Sequence, residues 1–150
     1  MAGSGAIGMR SEEDRNLAVV MRFIDGAING GNLDVIDETW ALDTVWNGGS
    51  LGTHHGRDAF KAAVAAATRS FSGMHLTVHE AIVRDDKVVL RFTNSGSNVG
   101  PFMDSPATGT HAEWLGIGIY TVRDGRIAEG WFAEDIFGLL LQLGAFPMPV

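Results

Sequence analysis

The segment from Thr110 to Phe146 constrains the fold more than any other part of this chain. It runs Thr-His-Ala-Glu-Trp-Leu-Gly-Ile-Gly-Ile-Tyr-Thr-Val, turns through Arg123-Asp124-Gly125-Arg126, and returns as Ile-Ala-Glu-Gly-Trp-Phe-Ala-Glu-Asp. Two β-prone runs joined by Asp-Gly are the strongest short-range signal for a hairpin. A two-residue turn at Asp124-Gly125 predicts a register in which Tyr120 faces Glu129, Gly118 faces Trp131, Gly116 faces Ala133 and Trp114 faces Asp135. Alternate residues share a face, so all of these side chains fall on one side of the hairpin. Gly116, Gly118 and Ala133 then leave a hollow, with Trp114, Tyr120, Trp131 and Asp135 around it. A bulky residue at Gly118 is expected to be tolerated by the fold but to displace a ligand. A carboxylate beside an aromatic hollow is how an acid–base site for a small molecule begins.

The rest of the chain supplies helices and further strands. Ser11 and Asp14 make a capping-box start, and Leu17, Val20, Met21, Ile24, Ala27 and Ile28 follow at helical spacing until Gly30-Gly31. Asn32 caps a short second helix through Trp40. A short strand at Thr44 to Asn47 and a glycine-rich loop from Gly48 to Gly56 lead to a third helix, Arg57 to Ser70. Strands are predicted at His75 to Val83 and Lys87 to Asn94, hinged at Asp85-Asp86. Ser95 to Gly109 reads as an ordered loop, because Gly96, Gly100, Pro101, Pro106 and Gly109 punctuate it. A short helix ends the chain, with Gly144 as its C-cap and Pro147 beyond. Helices first and consecutive antiparallel strands later predict an α+β fold, a curved sheet wrapped around helices.

The chain has 150 residues, enough for one domain with a sizeable core. Residues 1–10 read as a flexible leader and 11–150 as a single domain. The formal net charge of -7, with 11 basic residues and no basic cluster, argues against nucleic acid and anionic membrane surfaces. Cysteine is absent, which removes disulfides, thiol nucleophiles and thiolate metal sites. No apolar run reaches the ~18 residues of a membrane span, and the first ten residues are too polar for a secretory signal. A cytoplasmic location is the expectation.

The C-terminal block also carries a family resemblance. Gly-Ile-x-Ile-aromatic, Asp-Gly-Arg-Ile-x-Glu, Trp131, Asp135 four residues on, and Gly-Leu-Leu-x-Gln-Leu-Gly resemble the SnoaL-like polyketide cyclases. Gly56-Arg57-x-x-Phe60, Arg91-Phe92-Thr93, Gly96-Ser97-Asn98-x-Gly100 and Pro106-x-Thr108-Gly109 extend the resemblance over roughly residues 15 to 146. These cyclases belong with ketosteroid isomerase, scytalone dehydratase and limonene-epoxide hydrolase among the cone-shaped α+β domains, the NTF2-like fold. The resemblance implies that fold, no cofactor, and a small, apolar, oxygenated substrate. Fold does not fix the reaction.

Asp135 stands where the resemblance puts the family's acid–base aspartate, although an aspartate just before Ile136 is also a good helix N-cap. Tyr120, the only tyrosine, could donate to a developing oxyanion, or simply pack as a strand aromatic. Asn47 resembles the position of a water-binding asparagine in limonene-epoxide hydrolase, or serves the turn before Gly48-Gly49. With Trp46 it is expected to line the pocket from the other side. Phe92 and Asn94 share a strand face, Asn98 and Phe102 follow in the rim loop, and Trp114, Gly116, Gly118 and Trp131 are the remaining substrate contacts. His111 falls on the face opposite Asp135 unless a bulge intervenes, and is placed at the rim. His75 and His79 are separated by about 13 Å at about 3.3 Å per residue, too far for a metal pair, and no metal site is expected.

The resulting expectation is a cofactor-independent cyclase of polyketide-type natural products, with Asp135 as base. Two rivals are an epoxide-opening enzyme, favoured by Asn47 but lacking an Asp-Arg-Asp trio, and a binding module that only sequesters a lipophilic ligand. The face carrying Leu115, Ile117, Ile119 and Phe132 is too apolar for water and predicts a homodimer.

Overall fold

A computed structural model describes residues 11–145. The expected leader at residues 1–10, and Pro147 beyond the last helix, lie outside the described residues. Helix α1 (Glu12–Phe23) starts at Ser11, whose hydroxyl accepts from the Asp14 amide at 3.1 Å, with Glu12, Glu13 and Asp14 favourable in the first turn. The helical path does not stop at Phe23. It loosens into a π-helical turn over Ile24–Asn29, then reaches Gly31 at φ 70°. Asn32 accepts from the Asp34 amide at 3.1 Å and opens α2 (Asp34–Thr39). The third helix, α3 (Arg57–Ser70), has the predicted bounds.

Six strands form one sheet: β1 (Trp40–Gly48), β2 (His54–His55), β3 (Phe71–Arg84), β4 (Lys87–Asn98), β5 (His111–Arg123) and β6 (Arg126–Glu134). The spatial order is β2-β1-β6-β5-β4-β3, antiparallel throughout except for the parallel β1–β6 pair. Strand β4 runs four residues beyond its predicted end, since Ser95 and Ser97 pair with Glu113 and His111. Strand β3 likewise begins at Phe71 rather than His75. The rim loop is therefore confined to residues 99–110.

The sheet curves over α1, the π-helical turn and α3. The core joins Val20, Phe23 and Ile24 to Trp40, Trp46, Phe60, Leu90, Phe92, Tyr120, Ile127 and Phe132. Phe60, Trp46 and Phe132 form a stack, with centroids 4.7 Å and 3.5 Å apart, and Tyr120 meets Phe132 edge-on at 5.1 Å. A smaller cluster of Phe71, Ala112, Trp114, Leu139 and Leu143 fastens α4 (Ile136–Gln142) to β5. This is the α+β cone that the resemblance implies.

The hairpin departs from its predicted register, and the departure decides the site. Asp124 and Gly125 take φ 52° and 75°, as a primed turn needs, and Arg123 pairs with Arg126. Val122 then pairs with Ile127 but Thr121 with Glu129, so Ala128 is an extra residue on β6. Beyond this bulge Gly118 pairs with Phe132 and Gly116 with Glu134, not with Trp131 and Ala133. A one-residue slip turns every following side chain to the other face. Phe132 and Glu134 face the helices, whereas Trp131 is exposed on the outer face.

Candidate functional site

The pocket face of β5 keeps the alternation expected of it: Trp114, Gly116, Gly118 and Tyr120 are all buried. The glycines do not leave a hollow, however. The Phe92 ring fills the space at Gly116, where a Cβ would lie 2.6 Å from its Cζ, and Phe132 fills that at Gly118, with Cε1 at 2.6 Å. Missing side chains on β5 make room for large ones on β4 and β6. The cavity lies deeper, between the sheet and the helices.

This inner cavity encloses about 80 Å³. Its walls are mainly apolar: Phe23, Ile24, Ala27 and Ile28 from the first helical path, Val64 and Ala67 from α3, and Trp46, Phe92 and Phe132 from the sheet. Ile24, Ala27 and Ile28 all come from the π-helical turn, whose widened geometry recurs at functional sites. Among the polar groups at its edge are Asn94, Tyr120 and Glu134.

Glu134 is held by donors from three separate elements. Its Oε1 accepts from Trp114 Nε1 at 2.9 Å and from Asn94 Nδ2 at 3.0 Å, and its Oε2 accepts from the Ser50 amide at 2.7 Å. The turn bearing Ser50 comes this close because Gly49 has no side chain and takes φ 67°, where a Cβ would collide with Oε2. A carboxylate has about four acceptor positions, so three donors fix it while leaving capacity for a substrate. Tyr120 is packed among Phe23, Trp40 and Phe132. Its hydroxyl has no hydrogen-bond partner among the described residues and lines the cavity. Burial first, and the negative charge of Glu134 second, hold its pKa far above the ordinary phenol value. The group keeps its proton at neutral pH and can donate it in a hydrogen bond.

The expected site residues divide into three groups. Trp46, Phe92, Asn94 and Tyr120 meet at the inner cavity. Trp114 and Phe102 line an adjoining outer chamber. The others lie elsewhere. Asp135 is exposed and accepts from the Gly138 amide at 2.9 Å, so it caps α4, its carboxylate turned out of the cavity by the bulge at Ala128. Asn47 donates to the Gly130 carbonyl at 3.0 Å, which ties β1 to β6. Asn98 is buried and pins the rim loop through the Ser70 and Gly100 carbonyls and the Thr108 amide. His111 is exposed beside Ser97. Gly116, Gly118 and Trp131 contribute nothing to the cavity wall, the glycines because phenylalanine rings cover them and Trp131 because it faces outward. Strict alternation from the turn puts Glu134 on the outer face, and the bulge at Ala128 turns it inward. A bulge beside a two-residue turn leaves no local sequence mark, but two adjacent acids at the end of β6 meant that one must face inward.

Among the described residues no group of three or more metal-ligating side chains converges, and no helix is long and apolar enough to cross a membrane.

No curated protein sequence matches the chain significantly. Solved structures do. TsrD from Streptomyces laurentii is 27% identical, with 91% of this chain and 99% of that one covered and a TM-score of 0.81. A protein from Jannaschia sp. CCS1, assigned as a SnoaL-like polyketide cyclase, is 25% identical over 92% of this chain and 98% of its own, with a TM-score of 0.83. IdmH from Streptomyces antibioticus, assigned as a polyketide cyclase, is 26% identical over 86% and 98%, with a TM-score of 0.74. The sequence profile of the SnoaL-like polyketide cyclases matches residues 18–143. The chain belongs to the SnoaL-like polyketide cyclase family.

Proposed function

We propose that the protein is an enzyme, a cyclase acting on an apolar, oxygenated substrate of the polyketide type. One observation carries this reading: an oriented carboxylate, Glu134, and an uncommitted hydroxyl, Tyr120, border the same apolar cavity. Glu134 takes a proton from the carbon next to a substrate carbonyl, and the carbonyl oxygen gains the negative charge. Tyr120 donates a hydrogen bond to that oxygen and lowers the barrier. The enolate carbon then attacks a second carbonyl of the same molecule, the ring closes, and the proton on Glu134 passes to the new alkoxide. Each step uses only protein groups. The apolar walls hold the two reacting carbons close together, which itself supplies several kcal/mol.

An epoxide-opening reaction loses its main support, since the Asn47 amide is bonded to Gly130 rather than aimed at a water in the cavity. Tyr120→Phe tests the proposal. It keeps the ring packing and removes only the donor, so kcat should fall ~10²–10³-fold with little change in melting temperature. Unchanged turnover of an enolisable polyketide-type substrate would remove Tyr120 from the mechanism.

A homodimer is part of the same reading. The outer sheet face exposes Leu115, Ile117, Ile119 and Trp131, with Ile82 further along. Trp131 takes the place there that had been expected of Phe132, again because of the bulge. An apolar strand face of this kind is normally covered. Light scattering at tens of micromolar is expected to give twice the chain mass, and Trp131→Lys to shift it to the monomer. A monomeric wild type would contradict this.

A further inference from the structure

Strand β3 is an edge of the sheet: it pairs with β4 on one side and, among the described residues, with no strand on the other. An open edge invites pairing with another chain, and natural proteins block such edges. The first half of β3 is blocked. Asn29, at the end of the π-helical turn, occupies Leu76 as a neighbouring strand would, accepting from its amide at 2.7 Å and donating to its carbonyl at 3.0 Å. Register shifts between Ser72 and His75 and between Val78 and Glu80 break the regular path on either side of that contact. Residues 80–84 have neither device.

Here the register with β4 is unbroken, from Glu80 opposite Arg91 to Arg84 opposite Lys87. Arg84 and Lys87 close a two-residue turn, so their backbone groups bond to each other. By alternation, the amides and carbonyls of Val83 and Ala81 point away from β4, towards the open edge. The side chains of Glu80, Ile82 and Arg84 stand together on the outer face of the sheet, and Ile82 is 56% exposed. Glu80 also meets Arg91, and Arg84 meets Asp85, but both ion pairs are exposed and so contribute little.

This short stretch is complementary to itself. In a second copy running antiparallel and centred on Ile82, Ala81 lies opposite Val83 in both directions, and their outward backbone groups bond to each other. Glu80 lies opposite Arg84 at both ends, and Ile82 meets its own counterpart. Sliding one copy by two residues loses both ion pairs: one direction sets Arg84 against Val78, the other sets Glu80 against Asp86. Sliding by one residue turns the outward backbone groups out of line. Charge and backbone therefore select the same register.

We propose that residues 80–84 are a self-recognition edge, through which two copies of the chain join about a two-fold axis at Ile82 into one continuous sheet. The contact is short, well below the roughly 1,000 Å² of a stable interface, so the pairing is weak and reversible. It is separate from the outer-face contact around Trp131, and either can exist without the other.

The chain has no cysteine, so Ile82→Cys introduces a single thiol. In the paired register the two Cα atoms at position 82 face each other about 4.5 Å apart, within the range of a disulfide. Under mild oxidation Ile82→Cys should form a covalent dimer at least about tenfold faster than Leu42→Cys, whose thiol replaces a side chain that is 67% exposed on another strand. Adding Trp131→Lys should leave this cross-linking in place. In the Ile82→Cys background, Arg84→Glu alone and Glu80→Arg alone should each slow it to the Leu42→Cys rate, because like charges then meet at both ends. An equimolar mixture of those two proteins should restore most of it, since each copy supplies the charge that the other lacks. Equal rates for Ile82→Cys and Leu42→Cys, or a mixture no faster than its components, would overturn the proposal. So would cross-linking that Trp131→Lys abolishes, which would belong to the outer-face contact. Cross-linking that appears only after residues 1–10 are removed would overturn it as well, because the chain's own first segment would then hold the edge.

Discussion

Replacing Glu134 with Gln should lower turnover by ~10²–10⁴, the range for loss of a positioned general base, while Asp135→Asn should leave it within about twofold. The two residues are neighbours in sequence and alike in chemistry, so the comparison isolates position. Glutamine keeps the length of Glu134 and one acceptor oxygen for Trp114 and Asn94, but its amide must then face the Ser50 N–H, donor against donor. That conflict costs about 1–2 kcal/mol of stability, visible as a modest drop in melting temperature and separable from the kinetic effect. Asparagine at 135 caps a helix as well as aspartate does, so α4 should be undisturbed. Steady-state kinetics on both purified variants check this. Activity that is lost with Asp135→Asn and survives Glu134→Gln would mean that the carboxylate in the cavity is only a structural tie.

Gly118→Leu is expected to destabilise the fold severely, by about 3 kcal/mol or more, at the upper end of overpacking costs. For a domain of this size that corresponds to roughly 6–12 °C in melting temperature. The cause is Phe132. Even the first carbon of a side chain at 118 would lie 2.6 Å from its ring, and the ring cannot move aside because Trp46 is stacked on it at 3.5 Å. Thermal unfolding followed by near-ultraviolet circular dichroism reads the effect. The attribution has its own check, since shortening Phe132 to Leu should recover much of the loss in the Gly118→Ala background, a coupling expected only of residues in contact. A stable Gly118→Leu protein would show that the space beside β5 is open after all.

Local signals were legible wherever a feature depends on residues close in sequence. Ser11 as a cap and Asn32 before α2 follow from side-chain to backbone bonds that span only a few residues, the bounds of α3 from apolar residues at helical spacing, and the Asp124-Gly125 turn from the positive φ that both residues take. The inward face of β5 was also legible, because its alternation needs no partner. Failures came where a distant strand decides. Glycines 116 and 118 looked like empty space, and only the neighbouring strands reveal that Phe92 and Phe132 fill it. Gly96 looked like a loop breaker, yet it pairs with Ala112, and a side chain there would crowd Met74 and Phe71. The one extra residue at Ala128 carried the largest consequence, since it exchanged Trp131 for Phe132 and Asp135 for Glu134.

The three donors that hold Glu134 lie 84, 40 and 20 residues away from it along the chain. The first is brought near by the parallel pairing of β1 with β6, which encloses about half of the chain between its two strands. Closing so long a loop is entropically costly, and contacts of such separation form late and slowly in folding. The carboxylate is therefore among the last groups to reach its final setting. A partly folded chain, even with α1, α3 and the β5–β6 hairpin in place, would lack the Ser50 amide and present an unrestrained glutamate. In a refolding experiment the return of catalysis would time the closing of the β1–β6 seam rather than the appearance of helix or hairpin.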